Sequence, residues 1–229
     1  MIKVLHKYAL LVFLLLLFVK GFAQDKPSNQ QFKAKKSSFG VAAMFHQGAI
    51  LPHRKIVSEI VGKTTKAVEF SFFKNTFGKK TWQQLYHHPR VGISFIAMNL
   101  GNEQELGNGY GVFSFVEFPS NHHRKISWNL KLGYGLGYIA KPFDRVSNRK
   151  NIAIGSHFNA IIYANSSWTL KISNQIKFSA GLSVVHFSNA SSSVPNLGIN
   201  ILSLNSGFSY DFGEKELFLS KRKHIMLVY

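Results

Sequence analysis

A chain of 229 residues with 28 Lys+Arg against 10 Asp+Glu carries a formal charge of +18, and it contains no cysteine. The length suits one β-barrel or sandwich domain after a leader is removed. Disulfides, thiol nucleophiles and thiolate-held metals are excluded outright.

The N-terminus reads as an export signal. Lys3 and Lys7 form a positive start, residues 8–19 are an unbroken apolar run, and Gly21-Phe22-Ala23 offers small residues for cleavage before Gln24. The run falls short of the ~20 apolar residues a spanning helix needs. Residues 1–23 are therefore expected to be a signal peptide, with an uncleaved anchor as the alternative. So basic a chain ordinarily suggests nucleic acid, but export takes it away from that partner. Phosphorylated lipid headgroups are the anionic partner expected instead, and a merely solvated basic surface is the alternative. Residues 24–38, with Lys33, Lys35 and Lys36, form a polar lead-in.

From residue 39 the chain reads as strands rich in Phe, Val, Ile, Tyr and Gly, separated by polar clusters. Eight are predicted, at 39–46, 66–73, 90–100, 107–118, 126–139, 152–163, 176–187 and 199–212, with turns at 102–108 and 121–124. Several have ~10 residues or more, enough for a tilted strand to cross a bilayer. Strands of globular proteins more often have about 5–6.

The alternation is informative. In the fifth strand Ile126, Trp128, Leu130, Leu132, Tyr134, Leu136 and Tyr138 oppose Ser127, Asn129, Lys131, Gly133, Gly135 and Gly137. The seventh and eighth strands alternate likewise. In a soluble sandwich the apolar face would be the core. In a membrane barrel it would meet lipid, with small polar residues lining the lumen. Aromatic residues near strand ends, Tyr138, Tyr163 and Phe212, suit an interfacial girdle, and His157 falls on the small polar face. The fold expected is all-β, an antiparallel up-and-down transmembrane β-barrel of about eight strands over residues 39–212. Residues 213–229 read as a polar tail ending in a short final strand or an incomplete extension.

His186 and Ser188 carry the candidate chemistry. Two apart on a strand, they share a face, and it is the apolar one. A mutual hydrogen bond would satisfy both and would activate the hydroxyl as a nucleophile. A hairpin over residues 189–197 would bring Asn200 beside His186, where its amide oxygen can orient the imidazole. Asn189, Asn196 and loop N–H groups are available as oxyanion donors. Most such pairs at a strand end are structural. The pairs His87-His88 and His122-His123 fall in predicted loops without metal-ligand spacing. No HExxH motif, phosphate loop or dinucleotide fingerprint is present.

The run His186-Phe187-Ser188-Asn189-Ala190, followed by Pro195-Asn196-Leu197-Gly198-Ile199-Asn200, resembles the signature of the lipid A 3-O-deacylase (PagL-type) outer-membrane enzymes. Tyr86-His87-His88-Pro89-Arg90-Val91-Gly92 and the stretch Asn148 to Ser156 resemble a longer branch of that family in Bacteroidetes-like bacteria. The resemblance covers most of residues 38–212.

It implies an eight-stranded barrel in the bacterial outer membrane, with its active site on the lipid-facing wall. It also implies hydrolysis of the 3-hydroxyacyl ester at position 3 of lipid A by a Ser-His-Glu triad, without cofactor or metal. By resemblance Ser188 is the nucleophile and His186 the general base. Asn189, Ala190 and Asn196 match positions tied to substrate and oxyanion binding. The acid position falls on Asn200, where the family pattern has glutamate. The partners implied are lipid A or lipopolysaccharide and outer-membrane lipids, not nucleic acid, with the chain a monomer or homodimer. The competing readings are an inert structural or lipopolysaccharide-binding barrel and a small pore.

Overall fold

A computed structural model describes residues 38–52, 55–78, 80–120 and 124–212. The expected signal peptide, the lead-in up to residue 37 and the tail 213–229 lie outside the described residues.

Eight antiparallel strands form a closed barrel: β1 (Phe39–Ile50), β2 (Thr65–Asn75), β3 (Arg90–Asn99), β4 (Asn108–Pro119), β5 (Ile126–Ile139), β6 (Phe158–Lys171), β7 (Ile176–Ser188) and β8 (Ile199–Asp211). Each strand pairs with its sequence neighbours. β1 closes onto β8 in a register running from Gly40 opposite Asp211 to Ile50 opposite Ile201. Closure satisfies every strand edge, which is what lets a sheet sit in hydrocarbon. One rim holds the start of β1, the end of β8 and the turn 172–175; the opposite rim holds the longest connection, 140–157. A short helix, α1 (Thr81–Leu85), sits at the rim of the chain ends.

The exterior is apolar. Phe70, Ile93, Leu136, Trp168, Leu204 and Phe208 all stand outward and exposed, an arrangement suited to lipid rather than water. Aromatic residues gather towards both rims. Trp128 lies opposite Trp168 and donates its indole N–H to Ser166 Oγ at 2.9 Å. At the other rim Tyr138 packs against Tyr110 and Phe158.

The lumen is filled rather than open. At mid-height Glu69 Oε2 accepts the Tyr163 hydroxyl at 2.8 Å and lies 3.2 Å from His46 Nε2. Its Oε1 is paired with Lys131 Nζ and accepts from Ser71 at 3.1 Å. The Lys131 ammonium also reaches Ser94 Oγ at 2.9 Å and lies over the Phe115 ring, while His46 Nδ1 meets Ser183 Oγ. Towards the loop rim the filling turns apolar, with Ile96, Phe113, Ile161, Phe187 and Ile201 buried together. Glycines on β5 make room for it. A Cβ at Gly133 would lie 2.5 Å from the Phe113 ring, and one at Gly137 2.5 Å from Phe187.

Three expectations fail at β6. It begins at Phe158 rather than 152, because residues 151–157 are drawn into loop packing. Tyr163 is therefore mid-strand and inward, 1% exposed and stacked on Phe113, not part of a girdle. His157 precedes the strand on the outside and stacks on Tyr138 with ring centroids 5.2 Å apart, so it is not a lumen residue.

Glu69 is fully buried and holds groups from several strands together. Glu69→Ala leaves Lys131 as an uncompensated buried charge, a change that costs about 3–5 kcal/mol. Urea unfolding of the vesicle-reconstituted barrel should show that loss; an unchanged midpoint would mean the layer is not stabilising.

Candidate active site on the outer wall

β7 ends at the loop rim, and its alternation positions the site. Val185 and Phe187 point inward and are buried, so His186 and Ser188 point outward, about 6.5 Å apart along the strand. Asn200 lies directly opposite His186 on β8. His186 Nδ1 and Asn200 Oδ1 are 2.6 Å apart. An amide oxygen can only accept, so Nδ1 carries the proton in this bond and Nε2 is left with a lone pair. The hairpin expected to join these two residues is the one found.

Ser188 does not bond to His186. Its hydroxyl accepts from Asn196 Nδ2 at 3.1 Å and from the Ala190 backbone N–H at 3.2 Å, and donates towards Asn196 Oδ1 at 3.4 Å. The pair expected from sequence is thus two neighbouring hydrogen-bonded units, His186–Asn200 and Ser188–Asn196, on one face. Asn196 Oδ1 also accepts the Asn189 N–H at 3.2 Å.

Asn189 is buried and ties loops together. Its Nδ2 donates to Ser156 Oγ and to the Ser193 carbonyl, both at 3.0 Å, and its Oδ1 accepts the Ser191 N–H. Ala190 and Ser191 follow with φ of 54° and 65°. Two successive non-glycine residues in the left-handed region store strain of order 1–3 kcal/mol each. The turn that results aims the Ala190 N–H back at Ser188.

The connection 140–157 supports this turn from the side. Ile154 pairs with Asn196, the Gly198 N–H donates to the Ala153 carbonyl at 3.0 Å, and Ser193 Oγ donates to the Gly155 carbonyl. Asn151, fully buried, caps the bend by accepting from the Ala153 N–H at 3.1 Å. A Cβ at Gly155 would sit 2.8 Å from the Val194 and Pro195 carbonyl oxygens. At the tip of this loop the Ser147 and Val146 backbone N–H groups, helped by the Ser147 hydroxyl, hold the exposed Asp144 carboxyl below the usual carboxylate range.

Sequence reasoning missed Ser156, Asn151 and Gly155 as supports, having read 152–156 as strand. It also had no signal for the left-handed Ala190 and Ser191, since neither is a residue that favours that region. Asp211 points into the lumen at the opposite end of the barrel, held by Lys177 at 2.8 Å, too far away to serve as an acid beside His186. Among the described residues no cluster of His, Asp and Glu could hold a metal ion.

The model of the family described as lipid A 3-O-deacylase (PagL) matches residues 66–209, well over half of the chain. The chain belongs to this family. The match spans β2 to β8 and includes His186, Ser188 and Asn200. Among solved structures the chain is similar to Neisserial surface protein A (NspA), with a TM-score of 0.52 and 9% identity, covering 78% of this chain and all of that one. It is also similar to the outer membrane enzyme PagL, with a TM-score of 0.50 and 16% identity, covering 74% of this chain and 97% of that one. At such identities the two structures show a shared fold. No curated protein matches the sequence. Family and fold make this a bacterial outer-membrane β-barrel of the lipid A deacylase kind, with the rim of the chain ends facing the periplasm and the loop rim facing outward.

Gly198 lies against the imidazole with φ of +80°, and a Cβ there would stand 2.9 Å from His186 Cε1. Gly198→Ala should therefore destabilise the barrel by about 1–3 kcal/mol and displace the ring. Urea midpoints and the His186 imidazole resonances report the two effects; an unmoved ring would show that Gly198 does not set its position.

Proposed function

We propose that the chain is an esterase that removes the ester-linked 3-hydroxyacyl chain of lipid A, using Ser188 as nucleophile and His186 as general base. The observation that carries this reading is the 2.6 Å bond between His186 Nδ1 and Asn200 Oδ1, with the Ser188 hydroxyl two residues along on the same outward face. Asn200 orients the ring and fixes its tautomer, so Nε2 is the basic nitrogen. For attack, the Ser188 hydroxyl has to exchange its bond to Asn196 for one to that nitrogen by turning about χ1.

Ser188 Oγ adds to the ester carbonyl while its proton passes to His186 Nε2. The Ala190 N–H and Asn196 Nδ2, already aimed at the hydroxyl, stabilise the oxyanion. Collapse expels the sugar oxygen, which takes the proton from His186. Water from the interface then hydrolyses the acyl-serine with the same base. Leu182, Val184, Leu202 and Leu204, exposed on the outer wall below the site, give an apolar track for the acyl chains.

A second reading is an inert barrel that binds lipopolysaccharide without cleaving it. It is favoured by the engagement of Ser188 with Asn196 and by the neutral Asn200, which cannot stabilise an imidazolium by charge. In a serine protease the corresponding Asp→Asn exchange costs ~10⁴ in rate.

Mass spectrometry of lipid A incubated with the reconstituted barrel decides between them. Wild type should release one 3-hydroxyacyl chain and Ser188→Ala none; equal release by both would remove Ser188 from the reaction, and binding without release by wild type would establish the inert barrel. Asn200→Glu should preserve kcat or raise it, by up to about 10⁴-fold. Loss of turnover with an intact barrel would refute the orienting role of Asn200.

A further inference from the structure

The periplasmic end of the lumen is a second, separate place where charge is concentrated. A shallow, solvent-open depression is lined there by five cationic side chains, Arg90, Arg124, Lys125, Lys171 and Lys177, against one carboxylate, Glu117. Its floor is rigid. Lys177 is 4% exposed and Arg90 8%. Asp211 holds Lys177 at 2.8 Å and lies 3.9 Å from Arg90, which in turn is 3.8 Å from Glu117 and stacks over the Phe73 ring. Arg124 and Lys125 are exposed on the turn between β4 and β5, and Lys171 ends β6. Even with Asp211 and Glu117 fully counted, positive charge is in excess.

A further lining residue asks for something other than an anion. Asn129 is 4% exposed. Its Nδ2 donates to Thr169 Oγ1 at 2.6 Å, whereas its Oδ1 is buried with no hydrogen-bond partner. A buried acceptor without a donor costs about 1–3 kcal/mol, and a hydroxyl group entering the cavity would relieve it. Deeper in, a second cavity shares Arg90 and Glu117 with the first and is lined by Lys131 and Glu69. The apolar filling above that layer closes the lumen, so the vestibule opens only to the periplasm and is a binding site rather than a passage.

We propose that this vestibule binds a phosphate ester that carries a free hydroxyl. Several cations around one small volume suit a phosphate better than a single carboxylate, and the guanidinium groups of Arg90 and Arg124 can grip two of its oxygens at once. The hydroxyl bonds to Asn129 Oδ1. The ligand is a soluble phosphate ester of the periplasm or a phosphoglycerol lipid headgroup of the inner leaflet, since both present this chemistry. The vestibule and Ser188 lie at opposite ends of β7, so this site is independent of the proposed esterase.

Calorimetry on the full barrel in non-ionic detergent, titrated with glycerol 3-phosphate and with inorganic phosphate, tests the site. The expected result is saturable binding of both, tighter for glycerol 3-phosphate, with Kd raised at least tenfold by the double substitution Arg124→Ala with Lys171→Ala. Both positions are at the rim, and unchanged heat-modifiable migration on gels shows that the variant barrel is intact. Asn129→Ala should abolish the preference for the ester while leaving phosphate binding within about twofold. In nanodiscs, a phosphatidylglycerol phosphorus signal broadened by the wild type but not by the double variant identifies the headgroup as the source. Saturable binding of glycerol 3-phosphate in pure phosphatidylcholine discs that is unchanged when phosphatidylglycerol is included in the discs identifies the soluble ester. Absence of saturable binding in both arms, or binding that survives the double substitution, overturns the proposal. A preference that survives Asn129→Ala overturns the hydroxyl contact.

Discussion

Phe187 decides which way the candidate site faces. Between His186 and Ser188 the chain places a large aromatic ring that is fully buried, seated in the space that Gly137 leaves on β5. Strand side chains alternate with a period of two, so a slip of one residue in β7 would send Phe187 into lipid and draw the imidazole into an apolar core. Burial of such a side chain is worth roughly 1.5–3 kcal/mol, and expelling it would also leave a cavity. Register is thus enforced from inside the barrel, while the groups it orients stand outside. The same logic runs through β8, where buried Ile199 and Ile201 flank the outward Asn200.

Closure carries this registration round the ring. The Glu69 layer ties β2 to β1 through His46, to β5 through Lys131 and to β6 through Tyr163, while His46 reaches β7 through Ser183. These groups would be costly to bury singly and are tolerable only because each satisfies the others. Above them the apolar filling seats Phe187, and above that the loop 140–157 braces the turn that holds Ser188. The site is therefore the top of a continuous packed column rather than a decoration on a hollow tube.

Much of this was legible in the sequence because alternation is a local property. Seven of the strands, the outward face of β5 and the juxtaposition of His186 with Asn200 follow from counting by twos and from one hairpin. β6 was misplaced because Ile152 and Ile154 look like strand residues, whereas their neighbours Asn151, Gly155 and Ser156 spend their hydrogen bonds on loops distant in sequence. The Glu69 layer was not legible for a similar reason. Its members come from six strands, and nothing in the sequence near Glu69 announces a lysine on β5. The engagement of Ser188 with Asn196 depends on left-handed backbone at Ala190 and Ser191, which their side chains do not signal.

The outward stance of His186 and Ser188 has a kinetic consequence. Any molecule that meets them travels within the plane of the leaflet, so encounters are two-dimensional. Their frequency follows the mole fraction of that molecule among its lipid neighbours and is indifferent to the volume of surrounding buffer. Inert lipid is the diluent that slows encounters at such a site.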